Sequence, residues 1–342
     1  MISRQRHTSL KDLAEELGVS IATVSRALRN SNEVSLETRE RVSKLAKAKN
    51  YRPNPFAQSL RKDAPRIIGV VVPNLVTHYY SSVLDGIEDF ASKAGYSVIS
   101  ANSHENHFDE ERHIDNLLSM HVEGIIACLA QDTTDYSHFK ELAQLEIPLV
   151  FFARTCLPEL FSSVTANGDA AAKKAVQHLI DTGSKRIAFV GGPNHLDMVK
   201  RRKHGYIEAL HENRIQIDRS HVECHKIDFD TAYESMLRLL SLPVPPDAVL
   251  AFNDIISFAV MEAIKSRGLR IPQDVALIGF TDEKHAEFVT PKLSAIMDQA
   301  HETGVRVCQL LLNNINGDKT IHKEIVPMIL KIRESSSKIS KY

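Results

Sequence analysis

The sequence predicts an all-α N-terminal segment with a helix-turn-helix, followed by a larger α/β core built on two doubly wound parallel sheets. Two observations support this prediction. Two short amphipathic helical patterns flank Gly18, a residue that can close one helix before the next begins. From Ile67 onward, short β-branched apolar runs alternate with amphipathic segments, which is typical of parallel sheets covered by helices. The runs are too numerous for one sheet.

The first helix is predicted from the spacing of its apolar residues. Its stripe consists of Leu10, Leu13, Ala14 and Leu17, which recur at intervals of three and four residues. Ser9 is placed to cap its N-terminus. Gly18 ends the helix, and Ser20 is placed to cap a second helix that runs to about Leu28. Two short helices therefore meet across a tight turn.

The second helix exposes a face of small side chains. Val24, Ala27 and Leu28 share its buried side. The outward face and its rim comprise Ser20, Ile21, Ala22, Thr23, Ser25 and Arg26. An exposed helix face usually carries Lys and Glu, whereas a helix that enters the major groove of DNA needs short side chains at its N-terminal end. This face therefore indicates DNA binding.

The distribution of charge agrees with that interpretation. Residues 1–62 contain 13 Lys and Arg against 6 acidic residues, a net charge of +7, although the net charge of all 342 residues is −1. Only a count by segment shows this basic region, which is typical of a nucleic-acid-binding segment.

The length predicts two or three domains, and 43% apolar and 25% charged residues are ordinary for a soluble globular protein.

Three motifs in this region, Leu10–Ala14, Gly18–Ser20 and Thr23–Arg26, resemble the DNA-binding headpiece of the lactose/galactose-repressor family of bacterial regulators. Val34 and Ser35 resemble the start of that family's third helix, and the segment from Tyr51 resembles its hinge helix. Helix-turn-helix folds also occur without DNA binding, but here charge, outward face and hinge agree. The resemblance implies DNA contacts at Ser9, Ser20, Ile21, Ala22, Thr23, Ser25, Arg26, Asn30, Tyr51, Asn54, Ala57 and Leu60.

The rest of the chain is predicted to alternate strands with helices. The apolar runs predict buried strands at 67–72, 96–101, 124–129, 148–152, 186–190, 248–252 and 275–278. Helices are predicted near 80–94, 109–121, 137–145, 169–182, 199–213, 230–241, 254–267 and 301–314.

Residues 66–342 resemble the effector-binding core of the same family, which is similar to the periplasmic-binding-protein fold of two lobes joined by three crossings. The expected division is a headpiece with hinge helix at 1–62 and a core at 63–342. Lobe 1 is expected at about 66–157 plus 293–324, and lobe 2 at about 158–292 plus 325–337. Crossings are expected near 153–162, 286–293 and 322–328. A leucine heptad does not follow Arg333 in the sequence, so we expect a homodimer rather than a tetramer.

Ligands of doubly wound sheets bind beyond the carboxyl ends of the strands. The resemblance implies effector contacts there by Tyr79, Tyr80, Asn102, Arg202, Phe229, Asn253 and Thr281. For an aromatic residue such as Tyr80 or Phe229, the alternative that it packs in the core of a lobe and does not contact the effector is equally open. Arg202 is the stronger candidate, because a buried guanidinium needs a ligand or an acid.

Three positions depart from the family pattern. Many relatives carry an acid where this chain has Ala153, Ala166 and Thr281. Since Arg202 is kept, an acidic sugar or a sugar phosphate is predicted ahead of a neutral sugar. The alternative is that Ala153 and Ala166 lie on crossings away from the ligand.

Several classes of protein are disfavoured by the sequence. The phosphate-binding and nucleophile motifs Gly-x-Gly-x-x-Gly, the P-loop and Gly-x-Ser-x-Gly are absent, so we expect neither an enzyme nor a cofactor. The four cysteines and sixteen histidines show no metal-binding spacing. No export signal or membrane span is evident, so a cytoplasmic protein is expected and a periplasmic solute-binding protein is disfavoured. A regulator of this fold controlled by a protein partner stays open.

Overall fold

The computed structural model of the chain describes residues 8–49, 51, 66–280 and 284–338. The chain divides into two compact units, Met1–Pro65 and Arg66–Tyr342, which we call the headpiece and the core. Within the described residues, every helix is too short or too polar to cross a membrane.

The headpiece contains three helices: α1 at Leu10–Leu17, α2 at Ile21–Leu28 and α3 at Leu36–Ala48. Ser9 and Asp12 form a reciprocal capping box at the start of α1. Gly18 follows α1 with φ +65°, a left-handed conformation that glycine adopts without a steric penalty. Leu13, Val24 and Val42 are fully or almost fully buried between the helices. The predicted helix-turn-helix and its buried side are therefore confirmed.

The core contains two six-stranded sheets, each of which forms the centre of one lobe. The elements of the first part are β1 Ile67–Val72, α4 His78–Lys93, β2 Ser97–Asn102, α5 His107–Ser119, β3 Gly124–Ala127, α6 Ser137–Gln144, β4 Leu149–Phe152 and β5 Ser162–Ala166. Those of the middle part are α7 Gly168–Asp181, β6 Ile187–Gly191, α8 Asp197–Glu212, β7 Val222–Cys224, α9 Phe229–Leu240, β8 Ala248–Ala251, α10 Asp254–Ser266, β9 Ala276–Phe280 and β10 Ser294–Met297. The last part adds α11 Ala300–Ile315, β11 Lys323–Val326 and β12 Ile329–Lys331.

The strand order is β11-β5-β4-β3-β1-β2 in the first lobe and β12-β10-β9-β8-β6-β7 in the second. All pairs are parallel except β10 with β12. The central strands read as continuous apolar runs because helices cover both faces of each sheet. The predicted fold class is confirmed, and each core helix begins and ends within two residues of its prediction.

The expected lobe boundaries differ from the structure at all three crossings. The strand β5 was expected in lobe 2, but it pairs with β4, so the first crossing lies between β5 and α7 rather than near 153–162. Likewise β10 was expected in lobe 1, but it pairs with β9, so the second crossing lies between β10 and α11. The third crossing joins β11 to β12 at 326–329, whereas the expected boundary cut through β11. Backbone pairing to a neighbouring strand, rather than local sequence, assigns each strand to its sheet.

Helices α4 and α11 cross at very close range in the first lobe. A Cβ atom at Gly86 would collide with the backbone carbonyl of His301, and one at Gly304 would collide with the carbonyl of Val83. The two glycines therefore permit the contact that holds α11, which follows the second crossing, against the first lobe. After the second crossing the chain is thus packed back onto the first lobe.

Candidate functional sites

The N-terminal half of α2 presents the side chains expected to read DNA. Ser20 caps the helix by accepting the Thr23 N–H at 3.0 Å, and the two hydroxyls lie 2.8 Å apart. Ile21 is 48% exposed, and Ala22 and Arg26 are exposed as well. The hydroxyls of Ser20 and Thr23 are thus engaged with the helix end, so the exposed apolar groups of Ile21 and Ala22 dominate the outward face.

The basic side chains beside this face make weak local contacts. Arg26 lies 3.2 Å from Glu33, and Arg29 donates to the backbone oxygen and the hydroxyl of Ser25, each at 3.2 Å. Exposed pairs of this kind contribute little to stability, so the guanidiniums can exchange them for DNA phosphates. Asn30 is exposed with φ +56°, beside the end of α2.

The other predicted DNA contacts divide into two groups. Ser9 is exposed, but its hydroxyl and amide are both bonded to Asp12. Tyr51 is half-buried against the headpiece core, and burial raises the pKa of its phenol. Asn54, Ala57 and Leu60 lie outside the described residues, so their roles stay predictions.

A cleft of about 660 Å³, open in part to solvent, lies between the two lobes at the carboxyl ends of their strands. Four of the predicted effector residues line it, namely Tyr79, Tyr80, Arg202 and Asn253. Burial raises the pKa of both tyrosines well above its usual value, so both phenols stay protonated and can donate hydrogen bonds. Asn253 uses its side-chain oxygen to cap α10.

The remaining predicted effector residues are placed differently. Asn102 ends β2, but its amide side chain bonds to His104, and it is not among the residues that line the cleft. Phe229 is 44% exposed and stacks on Tyr233 with ring centroids 6.3 Å apart, while its neighbour Ile227 lines the cleft. Thr281 lies outside the described residues.

Arg202 lines the cleft and is 4% exposed. Its guanidinium donates to the backbone oxygen of Phe252 and lies 3.7 Å from the carboxylate of Asp298. The guanidinium carbon stands 3.8 Å from the centre of the Phe280 ring. Burial lowers the pKa of Arg202, although Asp298 opposes this shift. Asp298 lies at the second crossing and was not predicted from the sequence, since nothing in its local pattern marks it.

A second arginine in the cleft is neutralised within its own lobe. Arg154 makes a two-pronged contact with Glu105, at 2.6 and 3.0 Å, and is 4% exposed. Glu105 also accepts the backbone N–H of Gln131 at 2.8 Å. The pair therefore orients the loop after β3 rather than offering a free charge to a ligand.

Gln131 connects the two lobes across the cleft. Its side-chain oxygen accepts the backbone N–H of Ile227 at 2.7 Å, and both residues are buried. Gln131 belongs to the first lobe and Ile227 to the second, so this bond can form only while the lobes are closed. The sequence analysis missed it, because a lone Gln in a loop carries no signal.

Two family models match the chain. One is described as "Bacterial regulatory proteins, lacI family" and matches residues 9–54. The other is a periplasmic binding protein-like domain and matches residues 176–336. The HTH-type transcriptional repressor CytR of Escherichia coli (strain K12) is 32% identical over 310 residues, which are 90% of each chain. Catabolite control protein A of Priestia megaterium is 31% identical over 337 residues, covering 96% of this chain and 99% of the relative.

The chain belongs to the lacI family of bacterial regulatory proteins. This confirms the resemblance drawn from the headpiece and core motifs, and the protein is a DNA-binding regulator of transcription. Among solved structures, a lac repressor dimer bound to operator and the anti-inducer ONPF has a TM-score of 0.81, with 25% identity over 97% of this chain and 99% of that chain. A complex of the transcriptional regulator CelR with cellobiose has a TM-score of 0.74 and 28% identity, over 96% of this chain and 99% of that chain.

Two of the three positions where this lacI-family regulator lacks acids lie near Arg202, and the third, Thr281, lies outside the described residues. Ala153 and Ala166 line a small cavity next to the cleft, and Arg202 lines both. Within the described residues, the buried Nε of Arg202 has no hydrogen-bond partner. Both alanines share a cavity wall with Arg202, although neither lines the cleft itself, so the alternative that they lie away from the ligand stays open.

Proposed function

We propose that the chain is a homodimeric repressor that binds a near-palindromic operator and is controlled by a small molecule in the interlobe cleft. The observation that carries this proposal is the buried Arg202 at the carboxyl ends of the strands, which contacts two aromatic rings and has one N–H without a partner among the described residues. A buried polar group of this kind is typical of a ligand site. The relatives named above are regulators of transcription, and we propose that this chain likewise has no enzymatic activity and acts in the cytoplasm, where bacterial DNA lies.

DNA reading is assigned to the N-terminal half of α2. Ile21 and Ala22 are exposed and apolar, so they suit contact with thymine methyl groups in the major groove rather than two-pronged hydrogen bonds to bases. Arg26 and Arg29 would contact phosphates, which fix the position of the helix without reading sequence. Leu60 would act as a wedge in the minor groove at the operator centre, as its match to the hinge motif predicts.

The charge of the cleft bears on the chemistry of the effector. Among the described residues its lining contains three carboxylates, those of Glu105, Asp254 and Asp298, against two guanidiniums. Arg154 is already paired with Glu105, and Arg202 faces Asp298. An anion would therefore meet excess negative charge, and we propose a neutral polyhydroxylated ring ahead of the acidic sugar or sugar phosphate that the sequence predicts. Hydroxyl oxygens can accept from arginine, and hydroxyl hydrogens can donate to carboxylates.

One relative supports a second candidate mode of control for this protein. The similarity to Catabolite control protein A, together with the family motifs in the core, is compatible with control by a protein partner. A solute-binding role without DNA is disfavoured, because the headpiece carries an intact helix-turn-helix with an exposed reading face.

A thermal-shift screen of the full chain against sugars, sugar acids, sugar phosphates and nucleosides tests the effector site. A ligand at 100 times its Kd stabilises the folded protein by about 2.7 kcal/mol. Arg202→Ala should abolish the shift, whereas Arg267→Ala, which removes an exposed arginine of the second lobe, should not. Calorimetry with matched neutral and anionic ligands from the screen then shows whether the site prefers a neutral or an anionic effector. Equal shifts in wild type and Arg202→Ala would place the ligand elsewhere.

A further inference from the structure

A cluster of metal-ligating side chains lies in the first lobe, outside the lining of the effector cleft. His107 and Glu110 stand three residues apart on α5 and therefore share one face of that helix. His138 comes from the first turn of the neighbouring helix α6. One ligand atom from each of the three side chains lies within 4.8 Å of the other two. Side chains from two neighbouring helices thus converge on one point.

The carboxylate of Glu110 is fully buried and organises this point. Its Oε1 accepts from the hydroxyl of Thr133 at 2.8 Å and lies 3.1 Å from His138 Nε2. Its Oε2 accepts the backbone N–H of Ala130 at 2.7 Å. These contacts hold the carboxylate in one orientation, as outer partners do for a carboxylate that binds a metal.

His107 retains unused ligand capacity. Within the described residues, Nδ1 of His107 is buried and has no hydrogen-bond partner. On His138 the nitrogen that faces the Glu110 carboxylate is Nε2, and this side chain is only 3% exposed. Buried ring nitrogens usually have a partner, and coordination to a metal is one way to supply it for His107.

We propose that His107, Glu110 and His138 bind a divalent transition-metal ion, with Zn²⁺ as the best-matched ion. Imidazole nitrogen and carboxylate oxygen are ligands that zinc prefers, and two His with one Glu is a known zinc set. The 3.1 Å between His138 Nε2 and Glu110 Oε1 is close to the ~3.3 Å that separates two ligands on one tetrahedral zinc with bonds of ~2.0–2.1 Å. His107 is half-buried at the start of α5, which leaves a route for the ion and a fourth position for water.

The site is connected to the effector cleft through one short loop. Ala130, bonded to Glu110, precedes Gln131, which bonds both to Glu105 and across the lobes to Ile227. An ion that fixes Glu110 would stiffen this loop in the arrangement that permits the interlobe bond. Metal binding would therefore slow backbone amide exchange in residues 130–138.

Calorimetric titration of the full chain with Zn²⁺ in chelator-free buffer tests the proposal. We expect one ion per chain, and with Co²⁺ as a probe the visible absorption bands of a tetrahedral site. His107→Ala removes the accessible ligand and leaves the bonds of Glu110 to Ala130 and Thr133 in place. His138→Gln removes a ring nitrogen while keeping an N–H that can donate to Glu110. Each variant should weaken binding at least ~10-fold.

The matched control is His301→Gln. His301 is an exposed histidine 3.4 Å from Asp89, an ordinary surface pair that could chelate an ion adventitiously. Its variant should bind zinc as the wild type does. The proposal is overturned if both site variants bind zinc as tightly as the wild type, or if only His301→Gln loses binding. It is also overturned if zinc slows amide exchange elsewhere but not in residues 130–138. Should His107→Ala fail to fold, His138→Gln decides the outcome.

Discussion

The hydrogen bond between Gln131 and Ile227 predicts how strongly the cleft is held closed. Gln131→Ala removes the acceptor of the Ile227 N–H, and in the closed arrangement this N–H stays buried. Leaving a buried donor unsatisfied costs about 1–3 kcal/mol, whereas in the open arrangement water can bond to it. The ratio of open to closed molecules should therefore rise about 5-fold to 140-fold, since each 1.4 kcal/mol is a factor of ten.

The opening can be measured by electron resonance distances between spin labels on exposed residues of the two lobes, Glu141→Cys and Asp230→Cys. A Cys224→Ser background removes the half-buried native thiol, and an excess of unlabelled chain suppresses signals between subunits. We expect Gln131→Ala to broaden the distance distribution toward longer values.

The matched control is Gln177→Ala, which removes a glutamine whose side-chain bonds, among the described residues, all lie within the second lobe, to Asp181 and Asn213. Its distance distribution should equal that of the parent chain. If Gln131→Ala also gives the parent distribution, the interlobe bond does not contribute to closure and the reasoning fails.

Three further predictions concern other parts of the molecule. Exchanging Ile21 and Ala22 for the pair of a relative with different specificity should change operator preference by ~1–3 kcal/mol per affected base pair, measured by selection and sequencing of bound sites; an unchanged motif would move base reading to other residues. Gly304→Ala should destabilise the core by about 1–3 kcal/mol in urea unfolding, because its methyl group meets the backbone of the facing helix; an unchanged midpoint would contradict that close crossing. Hydrogen bonds from Arg270 lower the pKa of Asp274 from 3.8 to about 2, so this pair stabilises the fold above pH 3.8 and the contribution is lost as the pH falls toward 2. In Asp274→Asn, the free energy of unfolding should fall less steeply than in the wild type as the pH drops from 3.8 toward 2. An equally steep fall in both proteins would contradict stabilisation by the pair.

Local sequence predicted the elements but not their partners. The helices α4 to α11 could be placed within two residues because apolar spacing and caps are properties of neighbouring residues. The strands β7, β10, β11 and β12 have only three or four residues each and were not predicted. Such short segments carry too few side chains for a recognisable pattern.

The functional residues divide in the same way. The reading face of α2 follows from eight consecutive residues, so the sequence alone determines which side chains are exposed there. Arg202 was also predicted, because a family motif surrounds it. Asp298 and Gln131 were not, since each acts only through a residue distant in the chain, Arg202 and Ile227 respectively.

The sequence by itself determined the helix-turn-helix, the basic N-terminal region and the alternation of strands and helices, because each depends on residues within a turn or two of one another. Only the tertiary structure decided which lobe each strand joins, which charges meet in the cleft and that His107, Glu110 and His138 converge. Those features depend on strand pairing and on the crossings between lobes. Long-range hydrogen bonds and close packing set both, and no local pattern of residues encodes them.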